Sequence, residues 1–193
     1  MPDPFILKEL KAAIQSNSIL SESCCNTFIA HWKLMSVGKD YHFLRENAVS
    51  DYLYYIKKGI LRNYYFKNGK DVTEWIAMDG TFCFSIVSFF QRIPSKLMIH
   101  AIEPAEVYVL HYDDLMRLCD EDHEIERWFR KIITGSLILS QYRMDSIQFE
   151  TAQQRYDKLM EKRSHIIQRV PLAYIASFLG ITQETLSRIR ANH

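Results

Sequence analysis

The twenty residues from Pro171 to Arg190, P-L-A-Y-I-A-S-F-L-G-I-T-Q-E-T-L-S-R-I-R, leave little freedom in how they fold. Leu172, Ile175, Ala176 and Leu179 recur at helical spacing, and Pro171 suits the first turn, so a short amphipathic helix is expected to run to about Leu179. Gly180 then supplies the left-handed backbone of a sharp corner, Ile181 can tuck inward, and Thr182 can cap the next helix by accepting a backbone N–H. In that second helix Leu186 and Ile189 share one face, leaving Gln183, Glu184, Ser187, Arg188 and Arg190 on the remaining surface. Such a polar set suits base edges and phosphates. A helix–helix corner with a central Gly is also a common packing device, so the motif needs the rest of the chain to give it meaning.

The 193 residues are 48% hydrophobic, enough apolar surface for one or two cores. Net charge is only +1, but its distribution is uneven: from Phe149 onward seven Lys/Arg face four Asp/Glu, whereas 17 face 19 before it. A basic tail on an acidic body fits a tail that alone meets phosphate, and equally an ordinary solvated surface. The cysteines, at positions 24, 25, 83 and 119, show neither C-x-x-C nor zinc-like spacing, and adjacent Cys24 and Cys25 would form a strained bridge. No stretch approaches 18 apolar residues and no signal-peptide pattern opens the chain, so a reducing cytoplasm is the expected compartment and no membrane partner is expected.

Between residues 3 and 32, Phe5, Leu10, Ile14, Ile19, Leu20, Phe28 and Ile29 suit two short helices broken near Ser16 to Ser18, a packing layer. From Val37 the pattern is of strands: 41–44, 53–56, 60–66, 72–78, 97–102 and 106–112, with turns at Lys57-Lys58-Gly59, Lys67-Asn68-Gly69-Lys70 and Glu103-Pro104-Ala105. At least six closely spaced strands with hairpin punctuation predict an antiparallel roll rather than β-α-β units. Residues 79–96 interrupt them and carry a candidate effector pocket: Gly80, Thr81, Phe82, Cys83, Phe84, Ser85, Ser88, Pro94, Ser95 and Lys96, with a short helix around 85–90. A turn leading into a helix can present N–H groups to an anion, and the four phenylalanines there can equally plug the roll.

A single long helix is expected from about Asp113 to Ile147. Its apolar stripe is too long for a small roll to cover, which predicts a dimer seam through Trp128, Ile132, Gly135, Leu139 and Tyr142, against the alternative that the helix lies wholly on its own domain. Another helix from Ala152 through Met160, with Thr151 as a cap and Arg155, Lys158, Lys162 and Arg163 near its surface, opens a second unit. The expected division is 1–148 and 149–193. The fold class is thus α+β: an N-terminal antiparallel β-roll, a long dimerisation helix and a small helical unit.

This order resembles the Crp/Fnr family of bacterial transcription regulators, named for the cyclic-AMP receptor protein. The most specific segment is Ile175 to Ile189, which follows I-A-x-x-L-G-x-[ST]-x-E-T-[LV]-x-R-x, and Thr151 to Met160 is similar to the variant found in regulators of the Bacteroidetes type. The resemblance implies a helix-turn-helix whose second helix enters the major groove, with Gln183, Glu184 and Arg188 as base readers and Thr182, Ser187 and Arg190 as phosphate contacts or helpers. Implied partners are double-stranded DNA, a second copy of the chain and RNA polymerase. In cyclic-nucleotide binders of the family the inner loop supplies a Glu and an Arg followed by Ser or Thr. Aligning Ser88-Phe89-Phe90 with the family pattern puts Ile86 at the Glu and Pro94-Ser95 at the Arg-Ser, with Lys96 displaced by one. Cyclic AMP is therefore not expected, and the effector is some other small molecule or none. The sequence ends at His193, leaving no residues for the β-hairpin wing of many relatives.

No cofactor, metal or catalytic site is expected. The scattered histidines offer no axial-ligand pattern and the cysteines no iron–sulfur spacing. A cupin-type enzyme would need converging His and carboxylate ligands, and no H-x-H pair is present. A ligand-sensing dimer acting on proteins without binding DNA is the remaining alternative.

Overall fold

The computed structural model describes residues 4–191, with side chains from residue 8 onward, so the expectations resting on Phe5 and on the end at His193 lie outside the described residues. Two four-stranded antiparallel sheets form the centre. One has the order β1 (Lys33–Val37), β8 (Ala105–His111), β3 (Tyr52–Lys58), β6 (Phe82–Cys83); the other runs β2 (His42–Leu44), β7 (Met98–Ala101), β4 (Ile60–Lys67), β5 (Lys70–Met78). Leu44, Tyr54, Ile56, Leu61, Ala77, Ile99, Val107 and Val109 alternate inward from both sheets and fill the space between them.

The turns work as their residues suggest. Asn68 and Gly69 both have positive φ, the geometry of a two-residue hairpin between β4 and β5. Gly59, at φ 111°, is required twice over, because a Cβ there would stand 2.6 Å from the Cβ of Ala105. β1 and β6 were not expected from the sequence. A register shift in the β4–β5 ladder pairs Asn63 with Trp75 and Tyr64 with Thr73, leaving Glu74 as an unmatched bulge residue.

Helices cover both outer faces. α1 (Pro4–Asn17) and α2 (Glu22–Ile29) pack with the first half of α5 (His123–Phe149) on the β1–β8–β3 sheet, around Ile14, Phe28, Trp32, Tyr108, Trp128 and Phe129. Phe28 meets Trp128 edge-on at 4.9 Å between centroids. Cys24 and Cys25 lie in this core as buried free thiols, and burial, helped by Asp122, pushes Cys24 up to about 12.

The long helix departs from expectation in two ways. It is two helices, α4 (Tyr112–Glu121) and α5 (His123–Phe149), because Asp122 leaves the helical region and its carboxylate accepts the N–H of Glu124 at 2.8 Å. Trp128 and Ile132, expected in a dimer seam, are instead sealed in the core of their own domain, with Trp128 wholly buried. The second half of α5 is different: Ile138, Leu139, Tyr142 and Phe149 are exposed.

The other sheet is covered by α6 (Ala152–Arg163), α7 (Ile166–Arg169), α8 (Leu172–Leu179) and α9 (Gln183–Ala191). The capping box at the start of α6 is complete: Thr151 Oγ1 accepts the Gln154 N–H at 3.2 Å and Gln154 Oε1 accepts the Thr151 N–H at 2.9 Å. Tyr156, Leu159, Ile166, Val170, Ile175 and Leu179 share one core with Ile60, Ile76 and Met78 of the sheet and with Ile102 just after β7. Among the described residues no helix is long and apolar enough to cross a membrane.

Candidate nucleic-acid interface and effector cavity

The corner between α8 and α9 is built by three adjacent residues. Gly180 takes φ 68°, which lets the Ile181 N–H reach back to the Ala176 carbonyl at 3.0 Å and closes α8 with a Schellman-type bond. Ile181 packs partly inward, and Thr182 Oγ1 accepts the N–H of Thr185 at 3.2 Å to start α9. Pro171 stands just before α8, at the cap position. Leu186 and Ile189 are buried, so Gln183, Glu184, Ser187, Arg188 and Arg190 face solvent together with Thr182. Glu184 and Arg188 lie one turn apart on the outermost ridge. The Thr182 hydroxyl, then the N–H groups at the helix start and the Arg188 charge, hold the Glu184 carboxyl below its usual range, so it is an acceptor.

Of the basic residues placed near the surface of α6, two are structural. Arg155 donates to the carbonyls of Leu179 at 2.8 Å and Glu150 at 2.6 Å, and Arg163 donates to the carbonyl of Ile76 at 3.2 Å. Lys158 is paired with Glu150, whereas Lys162 is exposed.

The helical unit is held to the roll by polar contacts as well as by its core. Ser177 Oγ accepts the N–H of Thr73 at 2.8 Å. Arg169 is paired with Asp79 and Glu103, whose hydrogen bonds raise its pKa. Burial works to raise Asp79, but Arg169 and the Gly59 N–H prevail and lower it. Buried Arg62 donates to Thr73 Oγ1 at 2.8 Å and Asp71 at 3.0 Å while its guanidinium lies 3.7 Å from the ring centre of Tyr174.

A cavity of about 690 Å³ opens between the second sheet, the segment from Phe82 to Leu97 and the second half of α5. It contains Phe82, Cys83, Phe84, Ser85, Ser88, Pro94, Ser95 and Lys96 of the expected pocket. Gly80 and Thr81 are outside it; they make the turn after β5, where Thr81 Oγ1 donates to the Met78 carbonyl at 2.7 Å. The expected short helix is α3 (Ile86–Gln91). Sequence reasoning missed the opposite walls: Glu74 and Trp75 on β5, and Ser136, Ser140, Arg143 and Ile147 on α5. The latter recur at i, i+4, i+7 and i+11, a face that the expected seam obscured. Glu74 is open to the cavity and walled by protein on its other sides, which raises its pKa despite the opposing charge of Arg143. The Arg143 guanidinium lies 4.2 Å from the ring centre of Phe178 in α8.

Comparison with known proteins adds to this geometry. Residues 34–122 match the family described as "Cyclic nucleotide-binding domain". The roll is similar to that family's domain over these residues. Solved structures extend the likeness past that domain. FixK2 from Bradyrhizobium japonicum superposes with a TM-score of 0.74 at 19% identity, covering 83% of each chain. The catabolite activator protein of Thermus thermophilus gives 0.56 at 16% over 90% of this chain and 83% of its own. The c-di-GMP-responsive regulator CLP of Xanthomonas campestris gives 0.65 at 14% over 89% and 91%. The fold, an antiparallel roll followed by helices, is therefore shared with these structures. No curated protein matches the sequence.

Within the roll the inner segment departs from the chemistry expected of a cyclic-nucleotide site. Ile86, an apolar side chain, lines the cavity where a ribose-binding Glu is expected. Ser95 is buried and already engaged, 3.0 Å from Ser85 Oγ and donating to the Leu97 carbonyl at 2.9 Å. The arginine of this segment, Arg92, is spent elsewhere: it pairs with Asp51, donates to the Ser50 carbonyl at 2.9 Å and lies over the ring of Tyr112. Lys96 does reach the cavity wall.

Proposed function

We propose that this chain is a homodimeric, sequence-specific DNA-binding transcription regulator whose cavity takes a small effector other than cyclic AMP. The observation that carries the DNA reading is the α8–α9 corner: its buried Leu186 and Ile189 leave Gln183, Glu184, Ser187 and Arg188 together on the outward face of a capped helix. Arg188 has the fork for a bidentate contact to guanine, and Glu184, kept ionised, can accept from a cytosine amino group. Thr182, Ser187 and Arg190 flank them for backbone contacts, and exposed Lys162 adds a phosphate-facing charge. Of the relatives in fold named above, the Thermus protein is an activator and CLP a regulator by name, which favours the same output.

The dimer reading rests on α5. Gly135, Ile138, Leu139, Tyr142 and Phe149 fall on one face, and the large ones are exposed. A Cβ at Gly135 would meet nothing within 4 Å, so the chain's own packing gives no reason for a residue that weakens a helix by about 0.5–1 kcal/mol. Close approach of a second helix does. Trp128 and Ile132 take no part in this seam.

Anisotropy titration of purified protein against duplex DNA at about 50 and 200 mM salt tests the reading. Affinity should fall steeply with salt, as when several phosphate contacts release counterions. A flat, weak response would leave the corner as a packing device.

A further inference from the structure

We infer that the cavity takes a mainly apolar small molecule bearing a single carboxylate or phenolate, and that Arg143 is the residue that reads the acid group. This rests on the proposed role of the cavity as an effector site and adds the chemistry of its ligand.

A cavity of about 690 Å³ has the size of sites that enclose drug-sized ligands. Its mouth and walls carry Ile86, Val87, Ile93, Leu139, Met144 and Ile147, each with at least two-fifths of its surface uncovered. Six large apolar side chains converging on one opening give a ligand's apolar body its main source of affinity.

The polar groups divide into two sets. The serines of the floor are satisfied within the protein: Ser85 with Ser95 at 3.0 Å, Ser88 donating to the Ile93 carbonyl at 2.6 Å, Ser95 bridging to Leu97. Asn63 accepts from Cys83 at 3.0 Å. They offer little to a sugar hydroxyl or to the several oxygens of a phosphate. The charged set is unspent. Among the described residues Glu74, Lys96 and Arg143 form no ion pair within 4.0 Å, and Arg143 meets the Thr73 carbonyl at a long 3.5 Å and the face of Phe178. Two cations against one acid, in a wall that apart from Ser140 is otherwise apolar or satisfied, leave room for one further negative charge. Arg143 is the better placed, because it is partly buried and its planar fork fits a carboxylate, whereas Lys96 is exposed. Glu74 competes with the ligand's acid for the same guanidinium.

The test is calorimetric titration of the full chain with 4-phenylbutyrate and decanoate, each against its primary amide, with cyclic AMP as a separate arm. Each acid should bind at least tenfold more tightly than its amide and more tightly than cyclic AMP. Arg143→Gln should remove the acid preference. Glu74→Gln should widen it, a gain that misfolding cannot mimic. The inference is overturned if acid and amide bind alike, if neither acid binds, if cyclic AMP binds more tightly than both acids, or if Glu74→Gln leaves the preference unchanged or narrows it. Duplex binding by the same preparations keeps the two readings apart: DNA held without acid preference removes the ligand inference alone, and acid preference without DNA binding removes the regulator reading alone.

Discussion

Ser177 of the first motif helix accepts the backbone N–H of Thr73 in β5 at 2.8 Å, joining the helical unit to the roll through an N–H of the sheet's edge strand. Thr73 is fully buried with Ser177 in place, so removing the acceptor takes away the partner of this donor. Ser177→Ala should therefore cost about 1–3 kcal/mol, the range for an orphaned buried donor. Urea unfolding measures it, and an unchanged midpoint would show that the N–H finds another acceptor.

Arg188→Ala should cost about 1–3 kcal/mol of specific DNA affinity and relax selection at one base pair, whereas Lys162→Ala should weaken all duplexes about equally. Titrations at fixed salt against matched and mismatched duplexes separate the two. Equal loss on every duplex for Arg188→Ala would make it a phosphate contact.

Two residues of α5, fourteen apart, should fail differently. Trp128→Ala empties a fully buried site and should destabilise the fold by about 3–5 kcal/mol. Tyr142→Asp changes an exposed position and should leave the unfolding midpoint of the roll in place while shifting sedimentation to the single-chain mass. A Tyr142→Asp protein that still sediments as a dimer would contradict the seam.

The imidazole of His100 is buried, its Nδ1 has no hydrogen-bond partner among the described residues, and burial first, then Arg62 and His42, lowers its pKa to about 4. A folded value below the unfolded one, about 6.5, means that the unfolded chain binds the proton first. Stability from this group is present above about pH 6.5 and is lost as pH falls toward 4. Near pH 5 the loss should be about 2 kcal/mol relative to pH 7.5. Urea melts of wild type and His100→Leu check the sign: the variant should lose less stability between the two pH values, and parallel losses would contradict the assignment.

What could be read from the sequence was local. Gly180, Ile181 and Thr182 announce their corner because cap chemistry acts within a few residues, and the same holds for Thr151 with Gln154 and for the Asn68-Gly69 hairpin. β1 was missed because its pairing is distant: Lys33 faces Val109 and carries no turn signal of its own. Trp128 was misplaced because an apolar stripe shows which face avoids water and not which neighbour covers it; here α1 and α2 supply the cover. The break at Asp122 hid because apolar spacing runs through it while one side-chain cap decides it. Glu74 and Arg143 could not be joined from the sequence, since a bulge aims the first and a helix far along the chain presents the second.

The central claim is that α9 reads a DNA sequence in the context of a dimer. Selection of bound duplexes from a random pool by the purified full chain at moderate salt tests it most directly. The account predicts one enriched pseudo-palindrome with half-site centres about one turn of DNA, roughly 34 Å, apart, lost on Arg188→Ala at one position in each half. A pool that emerges without an enriched site would contradict it.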